Sequence, residues 1–112
     1  MAATAYAIPF LGPEDFAIIQ TGTPVGEARI SVVSAGTGLG QAFLVPAKNG
    51  KYTIMDSEGG HCDFATRNEL ESEFLFFLQK TYSRGSIERV LSGPGLLNIY
   101  IFFITKHAEP EA

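Results

Sequence analysis

Ser34-Ala35-Gly36-Thr37-Gly38-Leu39-Gly40 decides how the chain is read, because β-rich sequence lies on both sides of it. Residues 29–34 are Arg-Ile-Ser-Val-Val-Ser, and residues 41–46 are Gln-Ala-Phe-Leu-Val-Pro. Branched and aromatic side chains fit a pleated, half-buried surface. The two runs therefore predict an antiparallel hairpin with an open glycine turn. A second turn, Lys48-Asn49-Gly50-Lys51, predicts a third antiparallel strand over 52–55.

Upstream, residues 2–7 are a short apolar stretch read as the end of a helix, stopped by Pro9. Gly12-Pro13-Glu14-Asp15 reads as a turn and 16–21 as a further strand. Downstream, Thr66 and Glu69 have the spacing of a capping box. Leu70, Phe74, Phe77, Leu78 and Thr81 recur at spacings of three and four, which marks one buried helix face, with Glu71 and Glu73 off it. Ser92-Gly93-Pro94-Gly95 opens a last helix running from 96 to about 106, since proline is tolerated in a first turn. Residues 107–112 read as a polar tail.

A chain of 112 residues builds one modest core, hence one domain or less. Its net charge is −4 and its basic residues do not cluster, which argues against nucleic acid and against an anionic membrane surface. The longest apolar run, 96–104, is too short to span a bilayer, and the first residues lack the charged start of a signal peptide. Cys62 is the single cysteine, so an internal disulfide and a zinc site of several thiolates are excluded. A reducing, cytoplasmic location is the expectation. Cys62 itself reads as a small buried apolar residue.

Two short stretches carry chemistry. In the glycine turn, Gly36, Gly38 and Gly40 would let a phosphate approach bare backbone N–H groups, and Thr37 adds a hydroxyl. The same glycines also suit a plain tight turn, and the stretch lacks the Gly-Lys-Ser/Thr ending of a Walker loop. In Glu58-Gly59-Gly60-His61, a carboxylate and an imidazole flank two flexible residues. A carboxylate accepts hydroxyl protons and a neutral imidazole donates or accepts one, so the pair suits a polyol; equally, it suits a solvated loop. Glu88, taken by itself, reads as a surface carboxylate beside Arg89.

Four segments, taken together and in order, resemble the bacterial-type glucokinase family. They are Ala-Tyr-Ala-Ile-Pro (5–9), Ala-Gly-Thr-Gly-Leu-Gly (35–40), Glu-Gly-Gly-His-x-Asp-Phe-Ala (58–65) and Ser-x-Glu-Arg-Val-Leu-Ser-Gly-Pro-Gly-Leu (86–96). The resemblance runs from residue 2 to about 104. It implies an α/β chain with a partial actin-like (ribonuclease H-like) kinase fold. That piece would be mainly the start of the large lobe, with an antiparallel hairpin and two packed helices. Residues 1–10 would end the small lobe at the hinge, and 11–106 would form part of the large lobe. It further implies ATP and Mg²⁺ as cofactors and transfer of the γ-phosphoryl group to the 6-hydroxyl of glucose. Glu58, His61 and Glu88 match the glucose-binding positions, and Gly36, Thr37, Gly38 and Gly40 match the second phosphate loop.

The chain departs from the family pattern at its start. Met1 stands where the Phe of the family's Asn-Asp-Phe motif would be, and that motif's Asp is the family's general base. None of Asp15, Asp56 and Asp63 sits in that context, so no catalytic residue and no metal ligand are assigned. The Asp-x-Gly-Gly-Thr phosphate loop and the adenine-binding segment are also absent. The expectation is thus the middle third of a kinase, inactive alone. It would be a truncated product or a piece whose missing lobe is encoded elsewhere, phosphorylating glucose only when a complementing kinase segment is present; the alternative is a non-catalytic, degenerate hexose-binding or homodimerising fragment. The related ROK sugar kinases share Glu-x-Gly-His but follow it with a cysteine-rich zinc cluster; here only Cys62 follows.

Overall fold

The hairpin around the glycine turn forms. The computed structural model describes residues 1–108; it places β1 at Ile30–Ala35, β2 at Leu39–Pro46 and β3 at Tyr52–Ser57. They make a three-stranded sheet in the order β1-β2-β3. β2 and β3 pair antiparallel, with Gln41 opposite Ser57 and Pro46 opposite Tyr52. The turn between them needs Gly50, whose φ of +72° is a left-handed conformation that side chains resist.

The chain divides into two compact units. The first is Met1–Val33 with Gln41–Ser57. Here α1 (Ala2–Ala7) runs into a 3₁₀ turn, Ile8–Phe10, that contains Pro9. Ala5, Ala42 and Leu44 form the buried centre, with Ile8, Ile30, Val32 and Ile54 packed around it. The strand expected over 16–21 is absent. That stretch has no neighbour to supply ladder hydrogen bonds, and Ile19 is 99% exposed. Branched residues alone do not make a strand; a paired edge does.

The second unit is Ser34–Gly40 with the described residues from Glu58 onward. Its core lies where α2 (Glu69–Tyr82) meets α3 (Gly93–Ala108). Phe74, Leu78 and Phe102 are buried there, with Phe64, Phe77, Val90 and Ile99 against them. The expected α2 stripe is buried only at its middle: Leu70 is 43% exposed and Thr81 is exposed. α3 begins earlier than read, at Gly93, and continues through His107 and Ala108. The remainder of the expected polar tail, 109–112, lies outside the described residues.

The cap of α2 differs from the Thr66–Glu69 box. Asn68 is the N-cap, and its side chain accepts from the Glu71 N–H at 2.8 Å. Thr66 instead accepts a hydrogen bond from the Ser72 hydroxyl. The Glu71 carboxylate accepts from the Arg67 backbone N–H at 2.8 Å. That bond above all holds Glu71 below its ordinary value of 4.5. A lowered carboxylate favours the folded chain above its ordinary value, and the contribution is lost as acid protonates it. Asn68→Ala is expected to lower stability by about 1 kcal/mol, with a smaller loss for Thr66→Ala. Urea melts followed by helix ellipticity check this, and an equal loss for both would put the cap back on Thr66.

Candidate functional site

The candidate site lies in the second unit, and backbone pairing assembles it. The Phe64 N–H donates to the Gly85 carbonyl at 3.0 Å, and the Ile87 N–H donates to the Cys62 carbonyl at 2.9 Å. An antiparallel bridge joins Asp63 to Ser86 between them. The Arg84 guanidinium locks this pairing, donating to the His61 carbonyl at 2.6 Å and to Asp63 Oδ1 at 2.8 Å. The result brings two 3₁₀ turns together, Gly59–His61 and Ile87–Arg89. Cys62 is exposed on this pairing and not buried as expected, because its backbone, not its thiol, makes the contact.

Each turn presents functional side chains. Around the first, the His61 N–H donates to the Glu58 carbonyl, folding the two side chains to one side. Glu58 Oε2 lies 3.5 Å from His61 Nε2, and Glu88 Oε1 lies 3.8 Å from His61 Nδ1. The imidazole thus stands between two carboxylates at separations longer than a firm hydrogen bond. Exposure falls along the row, from 91% at the Glu58 side chain to 51% at His61 and 21% at Glu88. The structure brings all three residues to one place.

Glu88 is the anchored member. Its Oε2 accepts from the Leu39 N–H at 2.8 Å, and its own carbonyl accepts from the Ser92 hydroxyl at 2.6 Å. Ser92 Oγ also accepts from the Gly95 N–H in the first turn of α3. The next carbonyl, that of Arg89, accepts from buried Asn98, which in turn accepts from the Tyr82 hydroxyl. Helix α3 therefore fixes the backbone on which Glu88 sits.

The glycine turn is part of the same arrangement. Gly36 N–H donates to the Gly38 carbonyl at 2.8 Å, and Gly93 N–H donates to the Gly36 carbonyl at 2.7 Å. Leu39 N–H is committed to Glu88. The amides of Thr37 and Gly38 remain, beside the Thr37 hydroxyl, while Gly40 lies inside β2. Neither Gly36 nor Gly38 has a left-handed φ, so conformational freedom is not why glycine stands there. Close approach is the reason at Gly38 and at buried Gly60. A Cβ on Gly60 would fall 2.1 Å from the Leu39 carbonyl oxygen.

Sequence reasoning missed the parts that hold these side chains: the Leu39 amide, Arg84 and Ser92. A backbone amide leaves no trace in residue identity, and Arg84 and Ser92 look like ordinary surface residues until their partners are known. Among the described residues, no group of three or more His, Cys, Asp or Glu side chains is placed to hold a metal ion by itself. No described helix is long and apolar enough to cross a membrane.

Comparison with known proteins identifies the family. The family model described as Glucokinase matches residues 1–112. A glucokinase of Synechocystis sp. is 45% identical over 112 residues, covering 98% of this chain and 31% of that protein. One from Nostoc sp. is 47% identical over 113 residues, covering 99% of this chain and 33% of the relative. Among solved structures, a glucokinase from an Antarctic psychrotroph superposes with a TM-score of 0.83 at 32% identity, over 99% of this chain and 34% of that one. The glucokinase of Balamuthia mandrillaris, solved in complex with glucose, superposes with a TM-score of 0.65 at 24% identity, over 76% of this chain and 25% of that one; this likeness speaks to fold alone. The fold is accordingly a partial α/β piece of the actin-like kinase fold. The chain spans about a third of the length of the curated relatives it matches. With the match running from its first residue to its last, the chain belongs to the glucokinase family.

Proposed function

We propose that this chain supplies the hexose-binding part of a glucokinase together with one phosphate-contacting turn. In company with the family's remaining segments, it would serve ATP-dependent phosphorylation of glucose at the 6-hydroxyl. The observation that carries this is the convergence of Glu58, His61 and Glu88 on one place. Two carboxylates accept hydroxyl protons, and the imidazole between them donates or accepts one more. Such a set discriminates among epimers, because a misplaced hydroxyl leaves a site group without its partner.

ATP would be met by Thr37 and Gly38, whose amides and hydroxyl suit a phosphate oxygen. When bound, ATP supplies the phosphoryl group. The chain's own residues orient the sugar: Glu88 from a fixed backbone, His61 beside it, and Glu58 from the exposed side. Asp15, Asp56 and Asp63 stand away from the family's general-base context, so no residue here is assigned to take the proton of the 6-hydroxyl.

Calorimetric titration of the chain with glucose and with galactose is the test. Saturable glucose binding in the millimolar range, with weaker galactose binding, is expected. Absence of both heat and a melting shift at millimolar glucose would refute the assignment.

A further inference from the structure

We propose that Gly38, a residue of the phosphate turn, is a positioning residue for the sugar, because its missing side chain leaves the space that the Glu88 carboxylate occupies. The inference rests on the hexose assignment above and adds a link to it. A Cβ built on Gly38 would lie 2.7 Å from Glu88 Oε2, closer than such atoms approach. That oxygen is the one that accepts from the Leu39 N–H, the residue next in sequence. Gly38 and Leu39 therefore act as a pair: one opens a space and the other supplies the donor that fills it with a carboxylate oxygen. The second oxygen, Oε1, is left toward His61.

The clash at Gly38 differs in kind from the one at Gly60. At Gly60 an added Cβ meets a backbone carbonyl at 2.1 Å, which cannot yield without moving β2. At Gly38 it meets the far end of a flexible side chain. The φ of Gly38 lies outside the left-handed region, so alanine meets no backbone strain. Gly38→Ala should therefore fold as the parent does and displace only the carboxylate. The displaced Glu88 loses the Leu39 donor and its aim past His61. A residue in the phosphate turn thus controls sugar affinity, and whatever moves that turn, a bound phosphate included, is felt at the hexose.

The test compares four versions of the 112-residue chain: the parent, Gly38→Ala, Glu88→Ala, and Gly26→Ala as a control whose added Cβ meets nothing within 4 Å. Each is titrated with glucose, melted, and examined by amide NMR without sugar. Gly38→Ala is expected to bind glucose at least about tenfold more weakly, since ångström-scale misplacement of a binding group has effects of that size or larger. It should melt below the parent by no more than Glu88→Ala does, since both leave the Leu39 amide without its acceptor, and the Leu39 amide proton should move upfield as the charged acceptor departs. Gly26→Ala should match the parent in all three. If the parent binds glucose and Gly38→Ala binds it equally well, the inference is overturned and the hexose assignment stands. A Gly38→Ala chain that melts well below Glu88→Ala also overturns it, because the turn would then hold the fold and not the carboxylate. If the parent binds no sugar, the hexose assignment fails. The Leu39 amide then decides the Gly38–Glu88 contact: unmoved overturns it, moved upholds it.

Discussion

Glu88→Gln is expected to weaken glucose binding roughly ten- to hundredfold while leaving the fold intact. Glutamine keeps a side-chain oxygen that can still accept from the Leu39 N–H, so the 2.8 Å contact has a successor. What is lost is the charge offered to the sugar hydroxyl. Hydrogen bonds to charged groups contribute about 1.5–3 kcal/mol, which sets the expected range. Glu88→Ala should go further: it removes the acceptor too and leaves the amide of Leu39, a residue only 6% exposed, without a partner. An unsatisfied buried donor costs about 1–3 kcal/mol of stability. The pair of variants separates the two roles of one carboxylate. Titration with glucose reports the first role and urea melts report the second. Undiminished sugar affinity in Glu88→Gln would remove Glu88 from the proposed clamp.

Phe74→Ala is expected to cost about 3–5 kcal/mol, the usual range for deleting a buried aromatic side chain. Phe74 is the hub of the second unit's core. Its ring stands 5.1 Å from Phe102, 6.1 Å from Phe77 and 6.3 Å from Phe64, centroid to centroid. No neighbour can collapse into the space, because Phe77 and Phe102 already pack on one another at 5.6 Å. Domains of this size are stable by only about 5–15 kcal/mol, so the substitution takes away much of what there is. Since α3 carries the hydrogen bonds that fix the Glu88 backbone, loosening the α2–α3 contact should also abolish sugar binding. Circular dichroism through a urea gradient gives the size of the loss. A loss below 1 kcal/mol would mean that Phe74 is not the hub.

Legibility followed the range of the interactions. The hairpin, the Gly50 turn and helix α2 rest on neighbours in sequence, and composition and periodicity revealed them. The cap of α2 was ambiguous in letters alone: Thr66–Glu69 and Asn68–Glu71 have the same spacing, and only the Asn68 bond to the Glu71 N–H decides between them. Residues 16–21 look like a strand because Phe16, Ile18 and Ile19 favour one, yet pairing is a property of a partner and not of the segment. The site divides in the same way. Glu58 and His61 are adjacent enough to be seen as a pair. Glu88 joined them only through family resemblance, because nothing local ties it to either. The Leu39 amide, which holds Glu88, had no side-chain signature to read.

The division of the chain has one more consequence. The backbone leaves the site-bearing unit after Gly40 and re-enters it at Glu58, so the intervening stretch is an excursion whose two ends are both moored in that unit. Closing a flexible turn at its far end costs entropy that grows only with the logarithm of the turn's length, about 0.6 kcal/mol per doubling. Lengthening at the Gly50 bend would thus be cheap and would not shift the spacing of Glu58, His61 and Glu88. Within the excursion the bend at Gly50, clear of buried Ala42 and Leu44, can therefore vary in size while the arrangement around Glu88 stays as it is.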